Sequence, residues 1–167
     1  MSGSPLRWWI GLALAASVAC GAPAPDHDVA VRVERVGLDA NDLPVVLLEE
    51  RGGSRWVAIW IGTAEAESIA MSIESIASPR PNSHDLARSV IDGLRGEVER
   101  VVVTDLRGGT YYATLALRVG RRRVEIDARP SDAIAIALRT RAPIFVRDHL
   151  FERAETAGAK GAATPSI

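Results

Sequence analysis

The chain has 167 residues, of which 47% are hydrophobic and 25% charged, a composition typical of a soluble globular protein. Its length suits one domain with short appendages. The formal net charge of -1 excludes the strongly basic balance that marks many nucleic-acid-binding domains. Cys20 is the only cysteine, which excludes an intramolecular disulfide.

The N-terminus is typical of an export signal. Arg7 precedes an apolar run from Trp8 to Val18, which is too short to cross a bilayer core of ~30 Å comfortably. We therefore expect residues 1–19 to be a cleaved signal peptide. Cys20 follows Ser17-Val18-Ala19 in a pattern that resembles a bacterial lipobox, which predicts lipidation of Cys20 and attachment to a membrane. Ordinary signal-peptidase cleavage, leaving a periplasmic or secreted protein, is the alternative.

The first half of the chain predicts strands followed by helices. Residues 28–39 alternate apolar and polar side chains, as a half-buried strand does, and residues 45–48 and 55–61 form a hairpin pattern. Trp56 and Trp60 share one face of the last of these strands, where core packing is favoured over base stacking.

Two helices are expected next. Apolar residues at helical spacing predict a helix over 64–77, with Ala66, Ile69, Ala70, Ile73 and Ala77 on its buried side. Prolines 79 and 81 end it. Ser83 is expected to cap a second helix that ends near Gly96. Its buried stripe is expected to contain Leu86, Val90, Ile91 and Leu94.

The second half predicts an antiparallel meander over 98–106, 110–119 and 123–127. A helix then begins at Pro130-Ser131-Asp132. Its six consecutive apolar residues, 133–138, predict burial on most sides. A short strand over 144–146 and a helix over 149–154 follow.

These elements predict an α+β fold: a compact single domain with a mostly antiparallel or mixed sheet of six to seven strands and two to four helices. The domain is expected over 29–154. Residues 20–28 form a linker, and 155–167 a disordered tail.

Two segments place ionisable groups at helix N-termini. One reads Pro-Arg-Pro-Asn-Ser-His-Asp-Leu over 79–86, and the other reads Asp-Ala-Arg-Pro-Ser-Asp-Ala-Ile-Ala over 127–135. Free N–H groups and the positive end of the helix dipole favour anions at such positions. An arginine just upstream can add bidentate contacts to a phosphate or carboxylate. The pattern therefore suits a phosphodiester.

These segments, together with Trp60-Ile61-Gly62 and Glu65-Ala66, resemble the bifunctional nuclease family over residues 31–154. Two departures are visible, since Asn82 occupies a place that is usually apolar and Ser83 replaces a threonine. The resemblance implies a self-associating α+β domain, expected to be a homo-oligomer, that hydrolyses phosphodiester bonds of DNA or RNA with little sequence specificity.

The resemblance and the residue chemistry suggest specific roles. His84 is the candidate for acid–base work, because imidazole titrates near neutrality, and Asp85 lies beside it. Arg129 and Asp132 complete the expected catalytic group. The residues expected to bind substrate are Arg80, Arg129 and Ser131.

A divalent metal, magnesium or manganese, is a further possibility, because a nuclease can activate water on a metal held by carboxylates. Glu65, Asp127 and Asp132 are the carboxylates that could converge on it. Sequence spacing alone does not establish that convergence.

Structural alternatives accompany each role. His84 and Asp85 can simply complete a helix start, and Arg129 can pair with Asp127 or Asp132 to fix a corner. The basic run 121–123 is more typical of a solvated turn than of a contact to nucleic-acid backbone. The alternative function is a non-catalytic, self-associating envelope domain that binds an anionic ligand or a partner protein.

Overall fold

The computed structural model describes residues 26–151, which form one seven-stranded sheet with helices packed on one face. Predictions for residues 1–25, including the signal peptide and Cys20, and for residues 152–167 lie outside the described residues. The strands are β1 (Asp28–Leu38), β2 (Pro44–Glu50), β3 (Trp56–Trp60), β4 (Gly96–Arg107), β5 (Thr110–Val119), β6 (Arg122–Ala128) and β7 (Ile144–Arg147). The helices are α1 (Thr63–Ile73), α2 (Ser83–Gly93) and α3 (Pro130–Thr140).

The strand order is β3-β2-β1-β7-β4-β5-β6. β7 runs parallel to β4 and antiparallel to β1, while the other neighbours pair antiparallel. The predicted α+β fold with a mixed sheet is thereby confirmed. The meander β4-β5-β6 and the β2-β3 hairpin match their predicted positions.

The core lies between the sheet and helices α1 and α3, and it is built mainly from Val, Ile, Leu and Ala, with Phe151 also fully buried. Alternate residues of β4 and β5 face α3, which buries the apolar run predicted for that helix. Ala133, Ile134, Ala135 and Ala137 are fully buried there. Within residues 26–151, no helix combines the length and apolar content needed to cross a bilayer.

Helix α1 ends earlier than its periodicity predicts. The chain leaves helical geometry at Ser75, whose φ of 57° lies in the left-handed region. Ala77 lies beyond the helix and is exposed, and Ile73, the last residue of α1, is exposed as well, whereas Ala66 and Ile69 are buried as expected. The spacing of apolar residues therefore identified the helix but not its last turn.

Helix α2 corrects two predictions. Its N-cap is Asn82, not Ser83, because the Asn82 side chain accepts hydrogen bonds from the backbone N–H groups of His84 and Asp85. No residue of α2 is buried: Leu86 and Val90 are 62% and 52% exposed, and the C-cap residue Leu94 is 65% exposed. Of the predicted stripe, Ile91 packs against the core.

The tryptophans of β3 are also exposed, which contradicts their predicted place in the core. Val57 and Ile59 point into the core, so Trp56 and Trp60 project from the opposite face. β3 is an edge strand, and no described helix covers that face. The Trp60 indole N–H instead donates to Asp39 at 2.9 Å.

Candidate functional site

Helices α1, α2 and α3 meet at a charged cluster that contains most of the predicted site. Glu65 lies in the first turn of α1, His84 in the first turn of α2, and Asp132 in the first turn of α3. Arg129 is the N-cap residue of α3. Residues far apart in sequence therefore converge because three helices begin close together.

Arg129 joins the first turns of α1 and α3. Its Nε donates to Asp132 Oδ2 at 2.7 Å, while its NH2 group donates to Asp132 Oδ1 at 2.9 Å and to Glu65 Oε1 at 2.6 Å. These two carboxylates raise the pKa of Arg129 above its usual value. The side chain is 66% exposed, and its NH1 group has no partner among residues 26–151. Asp132 and Glu65 thus orient the guanidinium through its Nε and NH2 groups, while NH1 remains available to a ligand.

Asp132 also contacts His84, with 3.1 Å between Nε2 and Oδ1. Burial opposes ionisation of Asp132, but hydrogen bonds from Arg129 and His84 outweigh it, so the pKa of Asp132 lies below its ordinary value. Asp132 is therefore a carboxylate at neutral pH. It can accept hydrogen bonds, and it is a weak base.

Beneath His84 lies a second ion pair, between Arg139 near the end of α3 and Asp85 in α2. Arg139 Nε donates to Asp85 Oδ1 at 2.6 Å, and the Arg139 side chain is only 8% exposed. This contact lowers the pKa of Asp85. Asp85 also accepts the backbone N–H of Asn82, which completes a capping box. The contacts of Asp85 thus stabilise the start of α2 and its packing against α3.

A cleft of about 420 Å³ opens beside Arg129. It lies at the starts of α1 and α3, neither of which has a side-chain cap. The cleft is lined by residues of the β1–β2 turn, the end of β3, the β4–β5 hairpin and the start of α3, among them Leu43, Trp60, Gly62, Tyr111, Arg129 and Ser131. This volume falls within the range of small-molecule sites, roughly 300–1,000 Å³.

The predicted residues divide into those that join the cluster and those that do not. Ser131 is buried and lines the cleft. Arg80 is exposed on the loop before α2 and lies outside the contacts described above. Asp127 pairs with Thr114, one position from the core residue Leu115, so its side chain projects away from the helices.

The predicted metal ligands do not fit a resident metal. Because Asp127 projects from the opposite sheet face, only Glu65 and Asp132 remain of the three. Their carboxylates are already bridged by Arg129, which a cation would have to displace. Within residues 26–151, no group of three or more His, Cys, Asp or Glu side chains is arranged to hold a metal ion.

Sequence reasoning missed Ser68, and it gave Arg139 and Asn82 no role. Asp132 and Arg139 are seven residues apart, which places both on one face of α3. Ser68 follows Glu65 by three residues and so lies on the same side of α1. A search for polar residues at helical spacing around Asp132 and Glu65 would have found these two.

The fold and the cluster define an α+β domain with an arginine, carboxylate and histidine group where three helices begin. The profile of the family described as "Bifunctional nuclease domain" matches residues 45–158. The chain is 40% identical over 126 residues to an uncharacterized protein of Mycobacterium tuberculosis, covering 75% of this chain and 73% of that protein. The chain belongs to the bifunctional nuclease domain family.

Plant relatives carry the family's name. "Bifunctional nuclease 2" of Arabidopsis thaliana is 31% identical over 109 residues, which is 64% of this chain and 33% of the plant protein. "Bifunctional nuclease 1" of Oryza sativa subsp. japonica is 28% identical over 118 residues, covering 69% of this chain and 36% of that protein. The match therefore spans about a third of each plant protein.

Proposed function

We propose that the chain is a nuclease that hydrolyses phosphodiester bonds of DNA or RNA, with Arg129 binding the phosphate. The observation that carries this proposal is the geometry of Arg129. Two carboxylates hold its Nε and NH2 groups, NH1 has no hydrogen-bond partner among residues 26–151, and the residue lines a cleft. The two N–H groups of NH1 can donate to phosphate oxygens, and the starts of α1 and α3, which have no side-chain cap, add positive potential.

In this reaction, Arg129 NH1 donates to the non-bridging oxygens and stabilises the charge that develops on them. Asp132 holds Arg129 in place through two hydrogen bonds, and the attacking water loses its proton to solvent. The water oxygen forms a bond to phosphorus, the ester P–O bond breaks, and the departing oxygen takes a proton from solvent. The products are an alcohol and a phosphate monoester.

The test is hydrolysis of single-stranded DNA and RNA by the purified protein and by Arg129→Ala and Arg129→Lys variants. Removing the guanidinium is expected to lower kcat/KM by about a hundredfold, the usual effect of losing one donor to a developing oxyanion. Lysine keeps the charge but loses the planar fork, so that variant is expected to stay well below the parent protein.

Arg32→Ala is the matched control, because Arg32 on β1 is also exposed and also bridges two carboxylates, those of Glu34 and Glu49. Its activity is expected to equal that of the parent. Equal cleavage by the parent and both Arg129 variants would reject the assignment. Parallel assays with magnesium, manganese or chelator determine whether an added metal takes part.

A specific observation also favours self-association, the core of the alternative function. Leu86, Val90 and Leu94 form an exposed apolar stripe along α2, which is the kind of surface that a second copy of the chain can cover. We propose that this stripe lies in a homo-oligomer interface. A strictly monomeric protein at all concentrations in sedimentation would contradict this.

Export and attachment to a membrane through a lipid on Cys20 are also proposals, supported by the sequence of residues 1–20. Mass spectrometry of the protein from a bacterial host distinguishes the two forms. A diacylated Cys20 at the N-terminus supports lipidation, an unmodified N-terminus after Ala19 supports secretion, and an intact residue 1 contradicts both.

A further inference from the structure

The hydrogen bonds beneath the charged cluster determine which nitrogen of His84 carries the proton. They begin at Asn82, whose Oδ1 accepts the backbone N–H groups of His84 and Asp85 at 2.9 and 3.0 Å. These two contacts fix the orientation of the amide. The Asn82 nitrogen must therefore face Ser68, to which Nδ2 donates at 2.9 Å.

Ser68 Oγ receives a second donor, the NH2 group of Arg139, at 2.9 Å. A guanidinium can only donate, so both acceptor positions of the Ser68 hydroxyl are filled. The third neighbour is His84 Nδ1, also at 2.9 Å. Because the hydroxyl has only its proton left to offer, Ser68 donates to Nδ1.

A ring nitrogen that accepts a hydrogen bond carries no proton, so the proton of neutral His84 lies on Nε2. Nε2 faces Asp132 Oδ1 at 3.1 Å and donates to it. The orientation of Asn82 is thus transmitted through Ser68 and His84 to the carboxylate of Asp132. The His84 side chain is largely buried and both its nitrogens are engaged.

We propose that His84 is a neutral positioning residue, held in its Nε2–H tautomer by Ser68, and not a group that exchanges protons with substrate. Asn82 and Arg139 are positioning residues one step further away, since they orient the Ser68 hydroxyl. Asp132, which accepts from His84 on one side and from Arg129 on the other, in turn orients the Arg129 guanidinium that lines the cleft.

The tautomer is measured directly by ¹⁵N NMR of the imidazole rings. The chain has three histidines, and His84→Gln identifies the signals of His84. A protonated Nε2 and an unprotonated Nδ1 are expected. A proton on Nδ1 in the folded parent protein overturns the proposal, whether or not any variant folds.

Asn82→Asp tests whether the Asn82 side chain determines the tautomer of His84. Aspartate keeps the helix cap but presents an acceptor, so the Ser68 hydroxyl can turn away from His84. The Nδ1 signal is expected to shift in this variant and in Ser68→Ala. Ser72→Ala, one turn further along α1, is the matched control and is expected to leave both signals in place. Unchanged signals in folded Asn82→Asp and Ser68→Ala proteins would reject the proposed chain of contacts.

The functional test rests on the proposed nuclease activity. Glutamine can offer one N–H to Asp132 and one oxygen to Ser68, as the neutral imidazole does, but it cannot transfer protons. His84→Gln is expected to keep kcat within about tenfold of the parent, whereas His84→Ala is expected to lose about a hundredfold. Equal losses in the two folded variants would show that His84 transfers protons. If the parent shows no hydrolysis, the nuclease proposal fails and the NMR result still decides the tautomer.

Discussion

At the scale of single residues, most polar side chains of the site share hydrogen bonds with one another. Asp85 lies next to His84 in sequence, and the sequence suggested a catalytic role for it. The structure instead places it between the backbone of Asn82 and the guanidinium of Arg139. Adjacent residues on a helix point in different directions, so neighbours in sequence need not act together. Only the packing of α2 against α3 could reveal the partner.

Replacing Asp85 with asparagine is expected to lower the free energy of unfolding at neutral pH by about 2 kcal/mol. The change leaves the buried Arg139 guanidinium without its carboxylate, and breaking a fully buried pair costs roughly 3–5 kcal/mol. Asp85 is partly exposed, which reduces the loss. Asp92→Asn, which removes the exposed partner of Arg88, is the control and is expected to cost under about 0.5 kcal/mol.

The same pair predicts a dependence on pH. The pKa of Asp85 is lower in the folded protein than in the unfolded chain, so acid favours unfolding. The stabilisation is complete above the ordinary aspartate pKa of about 3.9 and is lost as pH falls through the folded value. Urea unfolding between pH 7 and 2 is expected to show a smaller acid loss for Asp85→Asn than for the parent. Parallel curves would contradict this.

At the scale of elements, the periodicity of apolar residues was sufficient to predict an element and its buried side where one face of that element is covered. The strands and α3 were predictable because alternating or continuous apolar residues coincide with burial. α2 shows the limit of that reasoning. Its apolar side chains do lie on one face, as predicted. Their spacing indicates which face is apolar but not whether another part of the protein covers that face. Trp56 and Trp60 on β3 illustrate the same point for a strand at the edge of a sheet.

Substituting Leu86 and Leu94 with glutamine is expected to weaken self-association without lowering the stability of the folded chain. Both side chains are more than 60% exposed, so little burial is lost within one copy, and glutamine preserves helix propensity. Sedimentation velocity over a range of concentrations measures the effect. Arg88→Gln, on the same helix, is the control. An unchanged distribution of oligomers would place the interface elsewhere.

At the scale of the whole molecule, β7 holds the sheet together. β1, β2 and β3 form one antiparallel unit, β4, β5 and β6 form another, and β7 is hydrogen-bonded to both β1 and β4. The sequence predicted β7 as a strand of three residues but gave no sign of this position. A parallel, central place depends on pairing between distant segments, which no local pattern encodes.

Phe145→Pro is expected to destabilise the domain by about 3 kcal/mol or more, since proline removes a backbone N–H from the middle of the sheet. Phe145 pairs with Ala30 on one side and Val102 on the other. Phe145→Ala keeps the N–H and separates the loss of the ring from the loss of the backbone bond. Thermal unfolding followed by circular dichroism compares the two. Equal midpoints would show that β7 is not essential to the sheet.

The place of β7 also sets the order in which the protein can fold during synthesis. Its residues, Ile144–Arg147, are among the last of the domain to leave the ribosome, yet the two halves of the sheet meet only through them. A nascent chain that ends before residue 144 can form hairpins but cannot complete its sheet. The two halves of the sheet can therefore be joined only once residues 144–147 have been synthesised.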